Sequence, residues 1–487
     1  MLQLDNADSV RRKVAPGIAQ KHKAEFGQFM TPSSVARFMA AMFPPSVLPT
    51  CRLLDAGAGV GALSCAFLDR FVAGDFGFQS VEATAYEIDD ALRGHLMRHL
   101  AAYSRVKPKV IAGDYIELAT ADDLQQGYTH AILNPPYKKI SSLSAHRLAL
   151  RTVGIETVNL YSAFVALAVA QAAPGGQIVA IIPRSFCNGP YYRPFRDFIL
   201  ERAALCQMHL FDSRKKAFKD DDVLQENVII RLERGGRQGP VTITTSTDDS
   251  FTDLVTNEHP FERIVFPDDS ERFIHVPTTT EKSTIELSPA VCYTLADLGI
   301  KVSTGPVVDF RLKEHLRDMP EDGSVPLIYP GHLSVSGTVW PVPGLKKPNA
   351  ILRNDSTEKW LYPNGFYCVV RRFSSKEEKR RVVASVVDPA AFGDHTVLGF
   401  ENHMNLFHEN KRGLPELLAR GLAVFLNTTA VDESFRRFNG HTQVNATDLK
   451  LMKYPSREAL SQLGQWAKQH REITQEMIDE QLGKLTA

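Results

Sequence analysis

The stretch "AILNPPYKK", residues 131–139, sets Asn134 and Tyr137 around Pro135 and Pro136, directly after an apolar run. Proline removes a backbone donor and fixes φ, so the pair ends a strand and stiffens the loop beyond it. The Asn134 side-chain oxygen and the Pro135 carbonyl are then two rigidly aimed acceptors. Such a pair suits chemistry on the exocyclic amine of adenine, whose lone pair is delocalised into the ring. Acceptors on its two N–H bonds draw the nitrogen towards tetrahedral geometry, and fixed acceptors need no reorganisation during reaction. Tyr137 offers a flat face on which an extruded base stacks. The plain alternative is a rigid strand-to-loop turn with asparagine as a turn former.

Upstream, "LLDAGAGVGALS" reads as a strand ending at Asp55, a turn containing Gly57, Gly59 and Gly61, and the start of a helix. The spacing is G-x-G-x-G, not the dinucleotide G-x-G-x-x-G, and no Walker lysine follows. It is either a ligand cradle or an ordinary βα turn. Glu87 closes the next strand in "ATAYEIDD". A carboxylate there can accept both ribose hydroxyls of a nucleoside. It can also cap the next helix, a task open to Asp89 and Asp90 as well. Asp114, in "VIAGDYIEL", follows a third strand; its carboxylate can accept from an adenine amino group while Tyr115 or Ile116 covers the ring.

The elements that must position these groups alternate. "CRLLDAG", "VEATAYEID", "KPKVIAGD", "THAILNPP", "GGQIVAIIP" and "ENVIIRLE" read as strands, and "GALSCAFLDRFVAG", "DALRGHLMRHLAAY", "NLYSAFVALAVAQAA" and "YRPFRDFILERAAL" as helices. This predicts an α/β fold with a doubly wound, mostly parallel sheet, and puts Asp55, Glu87, Asp114 and Asn134 along one carboxyl-end rim. "RGGRQGP" reads as a linker. The expected domains are 1–235, a second mixed α+β domain over 236–455, and a helical tail over 456–487.

The chain has 487 residues, long enough for two to three cores, with 44% hydrophobic and 23% charged residues. No apolar run reaches a membrane span, and the N-terminus lacks the apolar core of a signal peptide. Six scattered cysteines contain no C-x-x-C pair, which argues against structural zinc or a disulfide framework and for reduced thiols in a cytoplasm. No metal site is expected. Net charge is zero, with 56 basic and 56 acidic residues. Basic residues concentrate between 346 and 381, including Lys346, Lys347, Arg371, Arg372, Arg380 and Arg381. That run is either a solvated face or a surface for phosphates.

"NPPY" downstream of "LLDAGAGVG" and "YEIDD" resembles the S-adenosylmethionine-dependent amino-methyltransferases. "FGQFMTPSSVARFMAAMF" (26–43) resembles the motif that precedes the cofactor turn in the gamma group of DNA adenine-N6 methyltransferases, and the motif order is that of the gamma group. "FLNTTAVDESFRRFNGHTQVNATDLKLMKYP" (425–455) is similar to the end of the recognition region in adenine methyltransferases of type II restriction–modification systems. The stretch 240–390 carries no such likeness. The resemblance implies a Rossmann-like methyltransferase fold and S-adenosylmethionine as cofactor. Thr31 would close over the methionine part, with Gly57, Gly59 and Gly61 beneath it and Asp55 near its amino group. Glu87 would hold the ribose, Ile88 would lie against the cofactor adenine with Tyr115 close by, and Asp114 would take the adenine amino group. Asn134, Pro135, Pro136 and Tyr137 would hold a flipped target adenine, with Phe218 on its far face.

The resemblance further implies duplex DNA as substrate, read by the second domain, with the six basic residues on phosphates. It implies a monomer in a prokaryotic cytoplasm, beside a possible restriction endonuclease on a separate chain. Only about 25 residues precede "FGQFMTP", so no fused nuclease is expected. The rival substrates are an RNA base or a protein glutamine amide, and a third reading is a non-catalytic DNA-recognition subunit.

Overall fold

The computed structural model describes residues 3–14, 30–121, 124, 127–212, 226–280, 288–334, 337–374, 378–439, 443–470 and 472–486. Two compact units divide the chain, Met1–Thr280 and Glu281–Ala487.

In the first unit, β1 (Thr50–Ala56), β2 (Ser80–Glu87), β3 (Val106–Ala112), β4 (Tyr128–Leu133), β5 (Ala172–Pro183), β6 (Ala203–Phe211), β7 (Asn227–Arg234), β8 (Val241–Ser246) and β9 (Val255–His259) share one sheet. Its order is β3-β2-β1-β4-β5-β7-β6-β8-β9. The β1–β2, β2–β3, β1–β4 and β4–β5 pairs are parallel, whereas β7 runs antiparallel between β5 and β6. Chain order therefore reverses between β1 and β4, the crevice where a doubly wound sheet takes its ligand.

Side-chain alternation along these strands supplies two cores. Leu54 and Ala56 of β1 and Ile178, Ala180 and Ile182 of β5 enter one, while Cys51, Leu53, Val179 and Ile181 enter the other. Helices cover both faces: α1 (Gln3–Val14), α2 (Ser33–Ala41), α3 (Ala62–Ala73), α4 (Asp90–Ala101), α5 (Tyr115–Ala121), α6 (Ala145–Thr152), α7 (Leu160–Gln171) and α8 (Arg193–Arg202). Helix α7 is apolar all round and buried along almost its whole length, as a helix inside a core must be. The α/β, doubly wound expectation holds.

Two boundaries differ from those read in the sequence. "YRPFRDFILERAAL" stops being helical at Arg202, and Ala203 opens β6, a strand without a β-branched run that forms by pairing with β7 and β8. Strands β8 and β9 then continue the same sheet past the Gly-rich "RGGRQGP", so the first unit runs to Thr280 rather than ending at 235.

The second unit is mixed α+β. A four-stranded antiparallel sheet orders Lys301–Thr304, Met404–His408, Tyr367–Arg371 and Ala384–Val387. A five-stranded sheet is built around Ser324–Ile328. The stretch read as a tail forms two helices, Arg457–Gln469 and Gln475–Thr486, within this unit. Arg457–Gln469 crosses Glu416–Leu426 at glycines on both sides. A Cβ on Gly421 would meet the Leu460 carbonyl oxygen at 1.7 Å, and one on Gly464 the Leu417 carbonyl oxygen at 1.8 Å. Backbone cannot yield as a side-chain tip can. Gly421→Ala is therefore expected to destabilise the second unit by about 3 kcal/mol, read as a lower denaturant midpoint; an unchanged midpoint would refute the close-crossing argument. Among the described residues no helix is long and apolar enough to cross a membrane.

Candidate active site

A cavity of about 470 Å³ opens at the β1/β4 reversal, within the range of small-molecule sites. Thr31, Gly57, Gly59, Glu87, Ile88, Asp114, Tyr115, Asn134 and Pro136 all line it. Three of the four expected rim residues, Glu87, Asp114 and Asn134, thus face one space, and Asp55 does not.

The turn after β1 is shaped by left-handed backbone at Gly57, Gly59 and Gly61, with φ of 76°, 57° and 88°. At Gly61 a Cβ would also meet Leu96 Cδ1 at 2.8 Å, so that side-chain tip would have to shift. Glu87 ties this turn to β2. Its Oε2 accepts from the Gly59 N–H at 2.7 Å and its Oε1 from the Asp89 N–H at 2.8 Å. Burial is the main cause holding this carboxyl above its ordinary value. The capping task falls to Asp89, which accepts from the Ala91 N–H at 2.8 Å and so leaves Glu87 on the cavity wall.

Asp55 behaves differently. It is fully buried and absent from the cavity wall, and its Oδ2 accepts from the Ser64 hydroxyl at 2.6 Å and the Ser64 N–H at 3.2 Å. It thereby anchors the first turn of α3. Its Oδ1 is buried without a hydrogen-bond partner among the described residues, and burial pushes the carboxyl up to about 7. Asp55, expected near the cofactor's amino group, is thus a support beneath the glycine turn rather than a residue of the cavity wall.

Asp114 starts α5, its Oδ1 accepting from the N–H groups of Ile116 and Glu117 at 2.8 and 3.1 Å. Its Oδ2 lies 3.1 Å from His146 Nε2. His146, on α6, lines the cavity together with Lys138 and Phe164, and none of the three was singled out by the sequence. The signal for His146 is its place, twelve residues past Asn134 and inside the helix that follows the proline loop. Tyr115 is buried between Tyr86 and Phe164, and its hydroxyl donates to Gln171 Oε1 at 2.7 Å.

Asn134 sits just past β4, and its amide is held at both ends. Nδ2 donates to Thr31 Oγ1 at 2.9 Å, and Oδ1 accepts from the Tyr137 hydroxyl at 3.2 Å. An amide carbonyl oxygen has two lone pairs and can take two donors. Thr31 thus comes to the asparagine as well as to the cavity. The Tyr137 ring is half-buried, meets Tyr161 edge-on at 6.1 Å, and stands off the cavity wall, as do Pro135 and Gly61. Phe218 lies outside the described residues.

The basic run does not form one stripe. Lys346 is exposed. Lys347 Nζ donates to Asp309 Oδ2 at 2.8 Å, and Arg371 pairs with Glu378. Arg372 donates to the Asn402 carbonyl and Gln443 Oε1, and Arg380 to Gln475 Oε1 and the Thr428 carbonyl. Arg381 is a correction: only 1% exposed, it donates to Asn439 Oδ1 at 2.8 Å and Ser374 Oγ at 3.1 Å, and cannot reach a phosphate. Asn439 in turn donates to buried Asp448, so part of the 425–455 motif is an internal polar brace. Among the described residues no cluster suits a metal ion.

The Eco57I restriction-modification methylase family model matches residues 89–218, which span Asp114 through Tyr137. The chain is 52% identical to the type II methyltransferase M.BsuBI of Bacillus subtilis, over 99% of this chain and 98% of that one. It is 42% identical to the type II methyltransferase M.PstI of Providencia stuartii, over 97% and 95% of the two chains. Among solved structures, the type IIL restriction–modification enzyme MmeI in complex with DNA shares its fold at a TM-score of 0.50 and 10% identity, over 100% of this chain and 73% of that one. Identity at that level along essentially the whole length leaves one conclusion: the chain belongs to the type II methyltransferase family of restriction–modification systems.

Proposed function

We propose that this protein methylates N6 of an adenine flipped out of duplex DNA, using S-adenosylmethionine, and protects a specific sequence from a separately encoded endonuclease in a prokaryotic cytoplasm. It works as a monomer in this reading. The observation that carries it is Asn134, fixed by Thr31 and Tyr137 on the wall of the cavity that Glu87 and Asp114 also line.

The residues present fit the cofactor. The cavity has room for a nucleoside-sized group, Glu87 offers a carboxylate for ribose hydroxyls, Asp114 an acceptor for an amino group, and the orphaned Asp55 oxygen beneath the turn favours a cation nearby. When bound, S-adenosylmethionine supplies an electrophilic methyl group. Asn134 Oδ1 and the Pro135 carbonyl accept from the two N6 hydrogens and restore the nitrogen lone pair. Pro136 keeps their aim, and the Tyr137 ring takes the base face, with Phe218 assigned to the other. The surplus proton leaves N6 for solvent, and positioning supplies most of the rate. Arg372 and Arg380, with Lys346, lie against phosphates.

The test is transfer of labelled methyl from S-adenosylmethionine to unmodified duplex DNA, followed by digestion to nucleosides. Label in N6-methyladenine is expected. Label confined to another base, to RNA or to protein amides would overturn the assignment.

A further inference from the structure

The second unit contains a separate cleft of about 270 Å³, lined by Tyr329, Leu345, Lys347, Arg371, Phe373 and His403. Resting on the DNA reading above, we propose that this cleft reads a guanine edge in the target sequence, and that Lys347 and Arg371 serve there as base readers rather than phosphate contacts.

The charges argue for this first. Both cations in the cleft already have a carboxylate, Lys347 with Asp309 and Arg371 with Glu378, while the His403 ring is held through Nδ1 by the fully buried Glu401. Offsetting a charge removes most of its attraction for a phosphate and its share of counterion release, but leaves directional donors in place. Donors held without net charge suit a base edge. Guanine presents two acceptors side by side, O6 and N7, which is the pattern a lysine or a forked arginine matches.

The second observation is Tyr329. Its side chain is 2% exposed, and its hydroxyl is buried without a hydrogen-bond partner among the described residues. A buried hydroxyl left unpaired carries a desolvation penalty that nothing within the wall offsets. Tyr329 lines the cleft, so a small shift of that wall on binding would let an arriving acceptor satisfy it. Arg371 Nε is likewise buried and unpartnered among the described residues.

The wall is also built before any ligand arrives. The Tyr329 N–H donates to His332 Nδ1 at 3.0 Å, His332 Nε2 bonds Asn349 Oδ1 at 2.9 Å, and Asn349 Nδ2 donates to the Asp318 carbonyl at 2.8 Å. Arg371 stands at the end of a central strand of the antiparallel sheet. Phe373, 40% exposed and 4.8 Å from the His403 ring, gives the mouth a flat apolar surface for a neighbouring base.

The experiment uses the full-length enzyme and the target found by sequencing its methylated sites. Methylation rates and affinities are compared on that duplex, on duplexes with one substituted base pair, and on duplexes carrying 7-deazaguanine. Tyr329→Phe, which deletes only the orphaned hydroxyl, is expected to cut discrimination at one guanine about tenfold. Arg371→Ala is expected to cut it further and to make the enzyme indifferent to 7-deazaguanine at that position. The slope of log affinity against log salt stays as in the wild type. Unchanged discrimination in both variants overturns the proposal while leaving DNA methylation intact. Uniform weakening on every sequence, with a salt slope reduced by about one, returns Arg371 to phosphate and overturns it too. A wild-type enzyme that methylates no duplex overturns this proposal together with the reading beneath it.

Discussion

Replacing Asn134 with alanine is expected to lower the methylation rate constant by roughly 10²- to 10³-fold, with the dissociation constant for S-adenosylmethionine essentially unchanged. The split comes from where the side chain is held. Its Nδ2 is committed to Thr31 and its Oδ1 accepts from Tyr137, so the amide is oriented before any base arrives. In the proposed mechanism, deleting it removes one of the two acceptors for the target amine but leaves Glu87 and the glycine turn untouched. Thr31→Val should give a smaller loss, on the order of tenfold, because the acceptor survives but its amide is freed to rotate. Single-turnover methylation beside cofactor titration reads both. Full turnover in Asn134→Ala would remove this residue from the mechanism, and a parallel loss of cofactor binding would make it a wall residue instead.

The rim residues were legible because strands announce their ends. Apolar runs followed by glycine, acid or Asn-Pro place Glu87, Asp114 and Asn134 correctly on one cavity wall. Asp55 alone of the four turns off the cavity wall, and the sequence holds the signal. It shares parity with Cys51 and Leu53, which face the core containing α3, so its carboxylate turns towards Ser64 rather than into the cavity. The pairing of Asp114 with His146 spans 32 residues and depends on where α6 lands, which no local pattern encodes. Strand β6 was hidden for a related reason: its helix-tolerant residues become a strand only against β7 and β8. The basic run failed in a different way. Counting charges along the chain cannot show that Arg381 turns inward to Asn439 while Arg371, ten residues earlier, ends a strand beside a cleft. The 425–455 motif likewise mixes recognition-region likeness with an internal brace at Asn439 and Asp448, because a string of polar residues does not say which of them turn inward.

Glu87→Ala is expected to weaken S-adenosylmethionine binding by about 2–3 kcal/mol, thirtyfold to more than a hundredfold, as the loss of charge-assisted hydrogen bonds from a buried carboxylate. Two roles meet in this side chain, and the substitution must separate them. As a brace, Glu87 accepts from the Gly59 and Asp89 N–H groups and closes the turn onto β2. As a cavity-wall carboxylate, it is placed to accept from ribose hydroxyls, since each carboxylate oxygen can take more than one donor. The brace is partly redundant, because the Gly57 and Ala58 N–H groups both lie 2.9 Å from the Tyr86 carbonyl oxygen and hold the same turn. The turn should therefore survive, and the apo protein should melt close to the wild type. Cofactor titration and apo-state melting, measured together, give opposite patterns for the two roles. A large loss of affinity with little loss of melting temperature assigns Glu87 to the ligand. A depressed melting temperature with wild-type affinity in the folded fraction would leave it a brace alone, and the nucleoside would then have to be held by Asp114 and the apolar wall of Ile88 and Phe164. A titration against adenosine beside 2′-deoxyadenosine sharpens the distinction: the wild type should prefer the ribose, and Glu87→Ala should bind the two alike.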